Sequence, residues 1–431
     1  MANAGRLMAG VAEAEITCQV GLELAAELNP RVSRGVRTPL MAKAVVLSNG
    51  AESLAIVTLD LFGLQYEAAE RLVQGISERC GLKPEAVMVI CSHTRGGPYT
   101  TPVVGWPGIH QAYLDEVVGR VPEVVAEAQG RLEEASLGWG RAILPHLVYN
   151  HRLETRNMKT ITAWLGVPRN EVLQPEGPTD PEFNLLVLRD NRGRPLCLLW
   201  NMAADNRFPP DDQISADLPY LVQVAVDERM NDPVYSFQNN PHHVPCLYLG
   251  GCGGNISFTH DLDSTADALA NAVMAVQLET PCDPMIRLGC AWEKMILPIR
   301  DYSQFWSQAD IELKYPQALE AYAREVELLQ QEGAHAVPTW IQAFRLGRFA
   351  LVGLPGMPFV EFALAIKGQS PFQATLVAGN VGGYVGYVIT QAAFERAGFE
   401  SWPARSARVG PGGGEFMAEE ALTLLHELKR I

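Results

Sequence analysis

The segment after the apolar run 86–90 contains the first residues able to do chemistry. It reads Cys-Ser-His-Thr-Arg-Gly-Gly-Pro, from Cys91 to Pro98. A neutral imidazole such as that of His93 binds metal ions or exchanges protons near physiological pH. The two glycines after Arg95 let the backbone approach a ligand closely. The residue types leave two alternatives for His93: an active-site group, or a histidine bonded to backbone at the end of a strand.

A glycine-rich segment provides a second candidate. It reads Gly-Gly-Cys-Gly-Gly-Asn-Ile-Ser, from Gly250 to Ser257, and follows the apolar run 244–249. Such a segment exposes backbone N–H groups and can form an anion cradle or an oxyanion hole. It has neither the Gly-Lys-Ser/Thr of a P-loop nor the Gly-x-Ser-x-Gly pattern that would support Ser257 as a nucleophile. Tight packing is the alternative use of these glycines.

Two more groups of polar residues follow apolar runs. Asp205 comes after a strand predicted to end at Trp200, where a carboxylate can bind a metal or act as a general base. Beside Arg207 it can equally form a surface ion pair of small energy. Tyr384 and Tyr387 lie in a glycine-rich loop and can donate hydrogen bonds to developing charge, or they can simply pack.

The apolar runs around these residues predict an α/β fold. Runs rich in β-branched residues at 41–48, 54–61 and 86–91 predict strands, and the apolar spacing in 66–80 predicts a helix before the third. A helix between two apolar strands is typical of a crossover in an α/β sheet. Further strands are predicted at 183–188, 195–200, 244–249, 286–297, 338–345, 348–353 and 374–378. Further helices are predicted at 113–129, 217–230, 262–277, 310–332, 358–367 and 415–429.

These elements combine into one architecture. The turn 190–193, Asp-Asn-Arg-Gly, predicts a hairpin between its flanking strands. Segment 140–180 is rich in Pro, Asn, Arg and Gly and predicts long irregular loops of the kind that often carry a site. We expect a mixed β-sheet sandwiched between helices, in a single large domain that spans residues 1–431.

The composition limits the class of partner. The 431 residues are 48% hydrophobic and carry a net charge of -15, which predicts a compact protein with a sizeable core. The acidic excess argues against nucleic acid or an anionic membrane as the main partner. No membrane helix and no signal peptide are expected, and eight scattered cysteines predict reduced thiols in a cytoplasmic protein. A small-molecule substrate is the expected partner, and a homo-oligomer is an open alternative.

Short pieces of the chain, in order, resemble the neutral (alkaline, non-lysosomal) ceramidase family. They span residues 8 to 428 and include Gly-Val-Ala-Glu-Ala-Glu-Ile-Thr at 10–17, Ser-His-Thr-Arg-Gly-Gly-Pro at 92–98, Ile-Ser-Ala-Asp-Leu-Pro at 214–219, Leu-Pro-Gly at 354–356 and Gly-Tyr at 386–387. Members of that family hydrolyse the amide bond of ceramide, using water activated by a zinc ion that two histidines, a glutamate and a tyrosine hold. Larger members add a secretion signal and a C-terminal β-sandwich domain, neither of which we expect here.

The resemblance implies an altered zinc site. It places the family's four zinc positions on His93, Asp205, Met357 and Tyr387. Asp205 replaces a histidine, and Met357 replaces the glutamate with a thioether that zinc disfavours. Arg95 replaces a second histidine that is expected to help in proton transfer. His93, Asp205 and Tyr387, completed by Glu361 or His151, would still make an open site, so Zn²⁺ is possible without being required.

The resemblance also implies substrate contacts. It matches the family's Gly-Asp-x-Ser stretch to residues 254–257 and its Asn-Arg-Arg-like stretch to residues 150–152. The catalytic candidates are therefore His93, Asp205, Ser257 and Tyr387. The candidates for binding substrate are Arg95, His151, Arg152, Gly254, Asn255 and Tyr384. Trp106 and Trp402, on Gly/Pro-rich loops, are candidates to line a pocket or a subunit contact.

Three functions fit these residues. The first is a soluble hydrolase that cleaves an amide or comparable bond in a small polar substrate other than ceramide, with Arg95 favouring a carboxylate. The second is a metal-independent glycoside hydrolase or lyase, in which His93, Asp205 and a tyrosine act as acid and base and Arg95 or Arg152 binds a uronate. The third is a catalytically silent binding protein.

Overall fold

A computed structural model describes most of the chain. The described residues are 4–25, 28, 31–105, 108–156, 160–166, 170–232, 243–302, 311, 315–333 and 336–430. Trp106 lies outside them, as do parts of the helix predicted at 310–332.

An eight-stranded mixed sheet forms the larger β layer. Its strands are β1 (Met8–Glu15), β2 (Met41–Ser48), β3 (Ser53–Leu59), β4 (Val87–Cys91), β5 (Glu133–Ile143), β6 (Glu182–Asp190), β7 (Pro195–Met202) and β8 (Cys246–Gly250). Their order across the sheet is β8-β7-β6-β5-β1-β2-β3-β4. The pairs at the two ends, β7-β8 and β3-β4, are parallel, and the pairs between them are antiparallel.

A second sheet of four strands packs on the first. It consists of β9 (Leu288–Pro298), β10 (Ala336–Leu346), β11 (Phe349–Gly353) and β12 (Ala374–Ala378), in that order. The pair β11-β12 is parallel and the other two pairs are antiparallel. Buried apolar side chains of both sheets, such as Ile56, Leu199 and Leu351, interdigitate between them.

Helices cover the outer faces of the two sheets. The helices are α1 (Tyr66–Cys80), α2 (Gln111–Gly130), α3 (Leu218–Asn231), α4 (Leu262–Glu279), α5 (Leu319–Glu332), α6 (Val360–Gln369), α7 (Gln391–Arg396) and α8 (Gly413–Arg430). α1 to α4 pack on the larger sheet, and α6 and α8 pack on the smaller one. The α/β class and the mixed sheet predicted from the sequence are confirmed, and two stacked sheets stand where one was expected.

Shorter elements connect these layers. Short paired strands are Gly5–Arg6 with Met285–Ile286, Glu23–Leu24 with Arg31–Val32, Gly35–Val36 with Gln213–Ile214, Val148–Asn150 with Ile256–Phe258, and Met357–Pro358 with Tyr387–Val388. A three-stranded sheet contains Arg152–Thr155, Thr160–Thr162 and Val172–Pro175. The predicted loop segment 140–180 is thus partly strand. No described helix has the length and apolar character to cross a bilayer.

The ends of four strands meet at one place. Asn380, which follows β12, accepts a hydrogen bond from the Cys91 N–H at the end of β4 (3.3 Å). The neighbouring Gly379 N–H donates to the carbonyl oxygen of Gly250 at the end of β8 (2.8 Å). Asn206, after β7, donates through Nδ2 to the carbonyl oxygen of Ser92 (3.3 Å). β4 and β8 lie at opposite edges of the larger sheet, so β12 bridges these edges and brings distant loops together.

Candidate active site

His93 lies at this meeting point, two residues after β4. Its φ of 60° is rare for a residue with a side chain. Its Nδ1 lies 2.8 Å from the carbonyl oxygen of Phe62. A carbonyl oxygen only accepts, so the proton is on Nδ1 and Nε2 carries a lone pair. Burial lowers the pKa of His93 to about 4 against the opposing charge of Asp205, so the imidazole is a neutral base at pH 7.

Asp205 and Arg95 form a buried ion pair beside His93. Arg95 Nη2 donates to Asp205 Oδ2 at 3.2 Å, and the two side chains are 9% and 2% exposed. Asp205 Oδ1 lies 3.9 Å from His93 Nε2 and has no hydrogen-bond partner among the described residues. Two acceptor atoms therefore face each other across a short gap. The burial rules out the surface ion pair that the sequence left open for this aspartate.

The glycine-rich segment after β8 supports Asp205 from behind. The N–H groups of Gly251 and Gly254 donate to the carbonyl oxygens of Met202 and Pro358 at 3.0 Å, so neither is available to an oxyanion. A Cβ at Gly253 would lie 2.5 Å from the backbone nitrogen of Asp205. These contacts favour tight packing over the predicted anion cradle.

A cavity of about 110 Å³ opens in front of His93. Its described polar wall residues are His93, Arg95, Arg207, Tyr315, Tyr322, Tyr384, Tyr387 and Ser406. Its described aromatic wall residues also include Phe62, Trp164, Phe399 and Trp402. Sequence reasoning found His93, Arg95, both predicted tyrosines and Trp402.

The described wall of this cavity has a strongly biased charge. It contains two arginines and no aspartate or glutamate, in a chain with 49 acidic and 34 basic residues. A water-excluding cavity with cationic walls favours an anionic ligand.

Tyr387 and Tyr384 line the cavity on the side of the smaller sheet. Burial raises the pKa of Tyr387 to about 12, with Asp205 acting in the same direction, so its hydroxyl stays protonated and can donate. Burial raises the pKa of Tyr384 as well. The Tyr384 ring lies 5.5 Å from the His93 ring, stacked at 29°, and restricts how that imidazole can tilt.

Ser257 and His151 lie behind the wall rather than in it. Ser257 Oγ is 2.9 Å from His151 Nδ1, and His151 Nε2 is 3.2 Å from Glu400 Oε1. The His151 and Glu400 side chains are fully buried. None of the three belongs to the described cavity wall. The order Ser-His-Glu resembles a nucleophilic triad, yet Ser257 lacks the access to the cavity that a nucleophile requires.

Arg152 also differs from its predicted role. Its guanidinium is fully buried and binds Glu176 and Glu400, and Nη2 donates to the carbonyl oxygen of Ala397 at 2.8 Å. Burial by itself would raise the pKa of Glu400, but the charge of Arg152 and the contact with His151 lower it to about 2. Arg152 is thus held by protein groups outside the described cavity wall, away from where a substrate carboxylate would lie.

The asparagine of the glycine-rich segment is also engaged within the protein. Asn255 Oδ1 accepts from the Val360 N–H at 2.9 Å, and its Nδ2 donates to Glu361 Oε2 at 2.9 Å. Gly254 contacts the backbone of Met357 and Pro358. The structure places both predicted substrate-binding residues against α6, outside the described cavity wall.

The donors at the zinc positions do not fit a zinc ion. Asp205 already carries a cationic partner in Arg95, and Met357, which is buried and pairs with Tyr387 in a short parallel ladder, offers only a thioether. His151 Nδ1 is bonded to Ser257, and its Nε2 faces the Glu400 carboxylate at 3.2 Å. Within the described ranges, no three His, Cys, Asp or Glu side chains cluster as a metal site needs.

Three residues in or behind the cavity wall have little signal in the sequence. Arg207 places its guanidinium 3.8 Å from the centroid of the Trp164 ring, and Glu400 contacts both His151 and Arg152. Trp164 and Glu400 lie in single 3-10 turns, Ala163–Leu165 and Phe399–Ser401, with no local motif. Only tertiary contacts reveal them.

Comparison with known proteins identifies the fold. No family model matches the sequence, and no curated protein matches it. Two solved structures match over 99% of this chain and 75% of theirs, each with 16% sequence identity. They are neutral ceramidase from Pseudomonas aeruginosa, with a TM-score of 0.71, and a ceramidase complexed with C2, with a TM-score of 0.72. The ceramidase-like fold expected from the sequence resemblance is confirmed.

Proposed function

We propose that this chain, built on the neutral ceramidase fold, is a hydrolase that cleaves an amide or comparable bond in a small anionic substrate without zinc. The observation that carries the proposal is the described cavity wall, which contains His93 and two arginines but no aspartate or glutamate, while Asp205 lies behind it, 3.9 Å from His93 Nε2. A neutral base next to cationic groups suits attack on a carbonyl whose neighbouring group is negatively charged.

His93 and Asp205 are suited to hold the attacking water. His93 Nε2 and Asp205 Oδ1 are both acceptors and lie 3.9 Å apart, so one water can donate a hydrogen to each. The lone pairs of that water then point away from both side chains. As the water oxygen bonds to the carbonyl carbon, its proton passes to Nε2, and the same proton then reaches the leaving nitrogen as the C–N bond breaks.

The tyrosines and Arg95 would complete this step. The raised pKa of Tyr387 keeps its O–H available to donate to the oxygen that becomes negative. Arg95 Nη2 donates to Asp205 Oδ2 and so holds that side chain in place beside His93. The resemblance assigned Arg95 to the place of a second histidine, and this pairing gives it a role in holding Asp205.

Metal analysis with a substrate test examines the proposal directly. Protein purified without added metal is assayed for zinc and for cleavage of N-acylated amino acids, with and without chelator. We expect less than stoichiometric zinc and chelator-insensitive cleavage. Stoichiometric zinc with chelator-sensitive activity would contradict the zinc-free mechanism, and cleavage only of uncharged amides would contradict the anionic substrate.

A carbohydrate-active enzyme is the second candidate, favoured by the aromatic wall. Trp164, Phe399 and Trp402 give the cavity flat apolar surfaces, which suit the faces of a sugar ring. His93 would then act as the base and Tyr387 as the acid. Cleavage of a uronic acid glycoside, lost in Tyr387→Phe, together with no cleavage of N-acylated amino acids, would favour this candidate. Binding of both substrate classes without turnover would leave a binding protein.

A further inference from the structure

We infer that the buried chain Ser257–His151–Glu400 is a positioning device that fixes Trp164 and, through it, Arg207 as the carboxylate-binding group of the cavity. The inference rests on the proposed function, because it names the residue that meets the substrate's anionic group. It assigns the three buried residues a part in specificity rather than in bond cleavage.

The first step is the contact between Arg207 and Trp164. The guanidinium carbon lies 3.8 Å from the ring centroid, a close cation–π stack, and both side chains line the cavity. Stacking uses the face of the guanidinium, whereas carboxylates bind to its N–H edge. A stacked arginine therefore presents its edge in a defined direction.

The second step is what holds Trp164. The His151 ring meets it edge-on, with centroids 4.3 Å apart, and the Phe399 ring does so at 5.7 Å. The indole is thus bounded by Arg207 towards the cavity and by His151 on the buried side. A shift of the His151 ring would move Trp164 and the guanidinium stacked on it.

The third step is what holds His151. Ser257 Oγ lies 2.9 Å from Nδ1, and the Glu400 carboxylate lies 3.2 Å from Nε2 without hydrogen-bond geometry, so polar groups flank the ring on both sides and limit its rotation. A histidine this deeply buried is costly unless its polar atoms are paired. An apolar side chain would fill the same space at lower cost, so the polar chain points to a need for a fixed ring orientation.

Arg95 is less suited to the same task. Its Nη2 donates to Asp205, and its place next to His93 is at the reacting end of the cavity. Arg207 lies on the side of Trp164 and Phe399, where a carboxylate beside the scissile bond would be received. A pre-oriented arginine also loses less freedom when the substrate binds, which is worth about five- to tenfold in affinity.

A pair of probes that differ in one charge tests the inference. N-acetylphenylalanine carries a carboxylate, and N-acetylphenylalaninamide does not. For Arg207→Met, Trp164→Leu and His151→Leu, we expect KM or Kd for the acid to rise about tenfold. Because only the acid carries a charge, the loss of affinity for the amide should be smaller than the loss for the acid by about fivefold or more. Trp164→Phe keeps a ring under the guanidinium and should retain most of the affinity.

The control is another histidine held by two partners. His243, between Asp227 and Glu13, lies outside the described cavity wall, so His243→Gln should leave both probes unaffected. Urea unfolding identifies any variant that fails to fold, and Ser257→Thr with Trp164→Phe then provides a milder series.

Several outcomes would overturn the inference. Equal losses for acid and amide would show a purely structural role. A fall of more than about 100-fold in kcat for Ser257→Ala, with KM unchanged, would make Ser257 a nucleophile. If wild-type protein cleaves neither probe, calorimetric Kd values for the same variants still decide the role of Arg207, while the proposed hydrolysis fails separately.

Discussion

His93 shows how one buried residue sets the chemistry of the cavity. Its hydrogen bond to Phe62 fixes the tautomer, and burial keeps the ring neutral. A base of this kind is weak but is deprotonated over the whole physiological range, so its usefulness depends on the position of the water that it activates. In the proposed mechanism, Asp205, 3.9 Å away, sets that position.

The pH profile of kcat/KM is predicted from these groups. Protonation of His93 removes the acceptor for the water's proton, so activity should be flat from about pH 5 to 8 and fall as the pH drops through about 4. Tyr387, with a pKa raised to about 12, should add no alkaline limb below that value. An acid limb near 6.5 would show a solvent-exposed histidine instead. His93→Asn should lose about 100-fold or more in activity.

The positive φ of His93 predicts an unusual pattern of stability. Alanine at this position retains the steric cost of the left-handed region, whereas glycine relieves it. We expect His93→Gly to be more stable than His93→Ala by about 1 kcal/mol in urea unfolding, with both inactive. His146→Gly and His146→Ala, a histidine without a positive φ, should show the opposite order.

At the scale of elements, the glycine-rich segment after β8 acts as a support for the end of β7. Gly253 lies against the backbone of Ala204 and Asp205, so any side chain there would displace the aspartate. A Cβ added at Gly250, in the same segment, would lie 3.4 Å from the Tyr248 ring, which is an ordinary van der Waals contact.

Gly253→Ala should therefore reduce activity strongly and destabilise the fold by about 2 kcal/mol, as overpacking does. Gly250→Ala is the matched control and should be close to neutral in both. Activity assays and urea unfolding of the two variants give the comparison. Equal activity and equal stability of the two variants would mean that the glycine-rich segment does not fix the position of Asp205.

The wall segment 397–409 depends on a buried arginine. Arg300 Nη1 donates to the carbonyl oxygens of Ser401 (2.7 Å) and Trp402 (3.2 Å), and Nη2 donates to that of Val409 (3.4 Å). Burial lowers the pKa of Arg300 to about 10, so it stays charged at neutral pH.

Arg300→Met should loosen this segment. The three carbonyl oxygens would lose their donor, for a total cost of about 3 kcal/mol in the free energy of unfolding. KM should rise because Trp402 belongs to the cavity wall. Arg79→Met, which removes an exposed ion pair with Glu123, should change neither quantity measurably. An unchanged urea midpoint for Arg300→Met would show that segment 397–409 does not depend on Arg300.

Element prediction from the sequence succeeded where the pattern was apolar and failed in the middle of the sheet. The helix 66–80 and the strands 41–48 and 374–378 match the observed bounds. Strand β5 was missed because it contains glycines. Tertiary packing requires these glycines: a Cβ at Gly138 would lie 2.6 Å from Thr280, and a Cβ at Gly140 would lie 2.6 Å from Val276. The close packing of α4 on this strand leaves room only for glycine, and glycines within a sequence segment argue against predicting a strand there.

The site was predictable to a similar extent. His93, Arg95 and Tyr387 follow strand ends or glycine-rich loops, so pattern and resemblance together found them. The place of Arg207 in the cavity wall depends on Trp164, and the burial of Arg152 depends on Glu176 and Glu400, all in segments distant in sequence. Local sequence carries no record of such pairings.

At the scale of the whole molecule, the fold is built from backbone pairing and apolar packing rather than from the candidate site residues. The chain keeps the ceramidase-like fold at 16% identity, while Met357 and Asp205 stand at the positions that the resemblance assigns to zinc ligands. The two stacked sheets and the bridge that β12 makes between β4 and β8 need only backbone hydrogen bonds and apolar packing. The framework is therefore independent of what the loops bind. The expectations of one domain and of a cytoplasmic location stay predictions.

The charge of the described cavity wall, which has two arginines and no aspartate or glutamate, affects how fast a ligand arrives. An anion approaching from a distance meets the field of a molecule with a net charge of -15, and only within a few ångströms does it meet the two arginines. Salt screens the distant field over about 8 Å at physiological ionic strength and affects the enclosed contacts less. Stopped-flow binding of N-acetylphenylalanine should therefore become faster as salt is raised from 10 to about 150 mM, the reverse of electrostatic steering. A rate that falls with salt would mean that a cationic patch guides the anion in. A rate that rises with salt would mean that the net charge of the molecule repels the anion at long range. The two arginines would then attract the anion only once it has reached the cavity entrance.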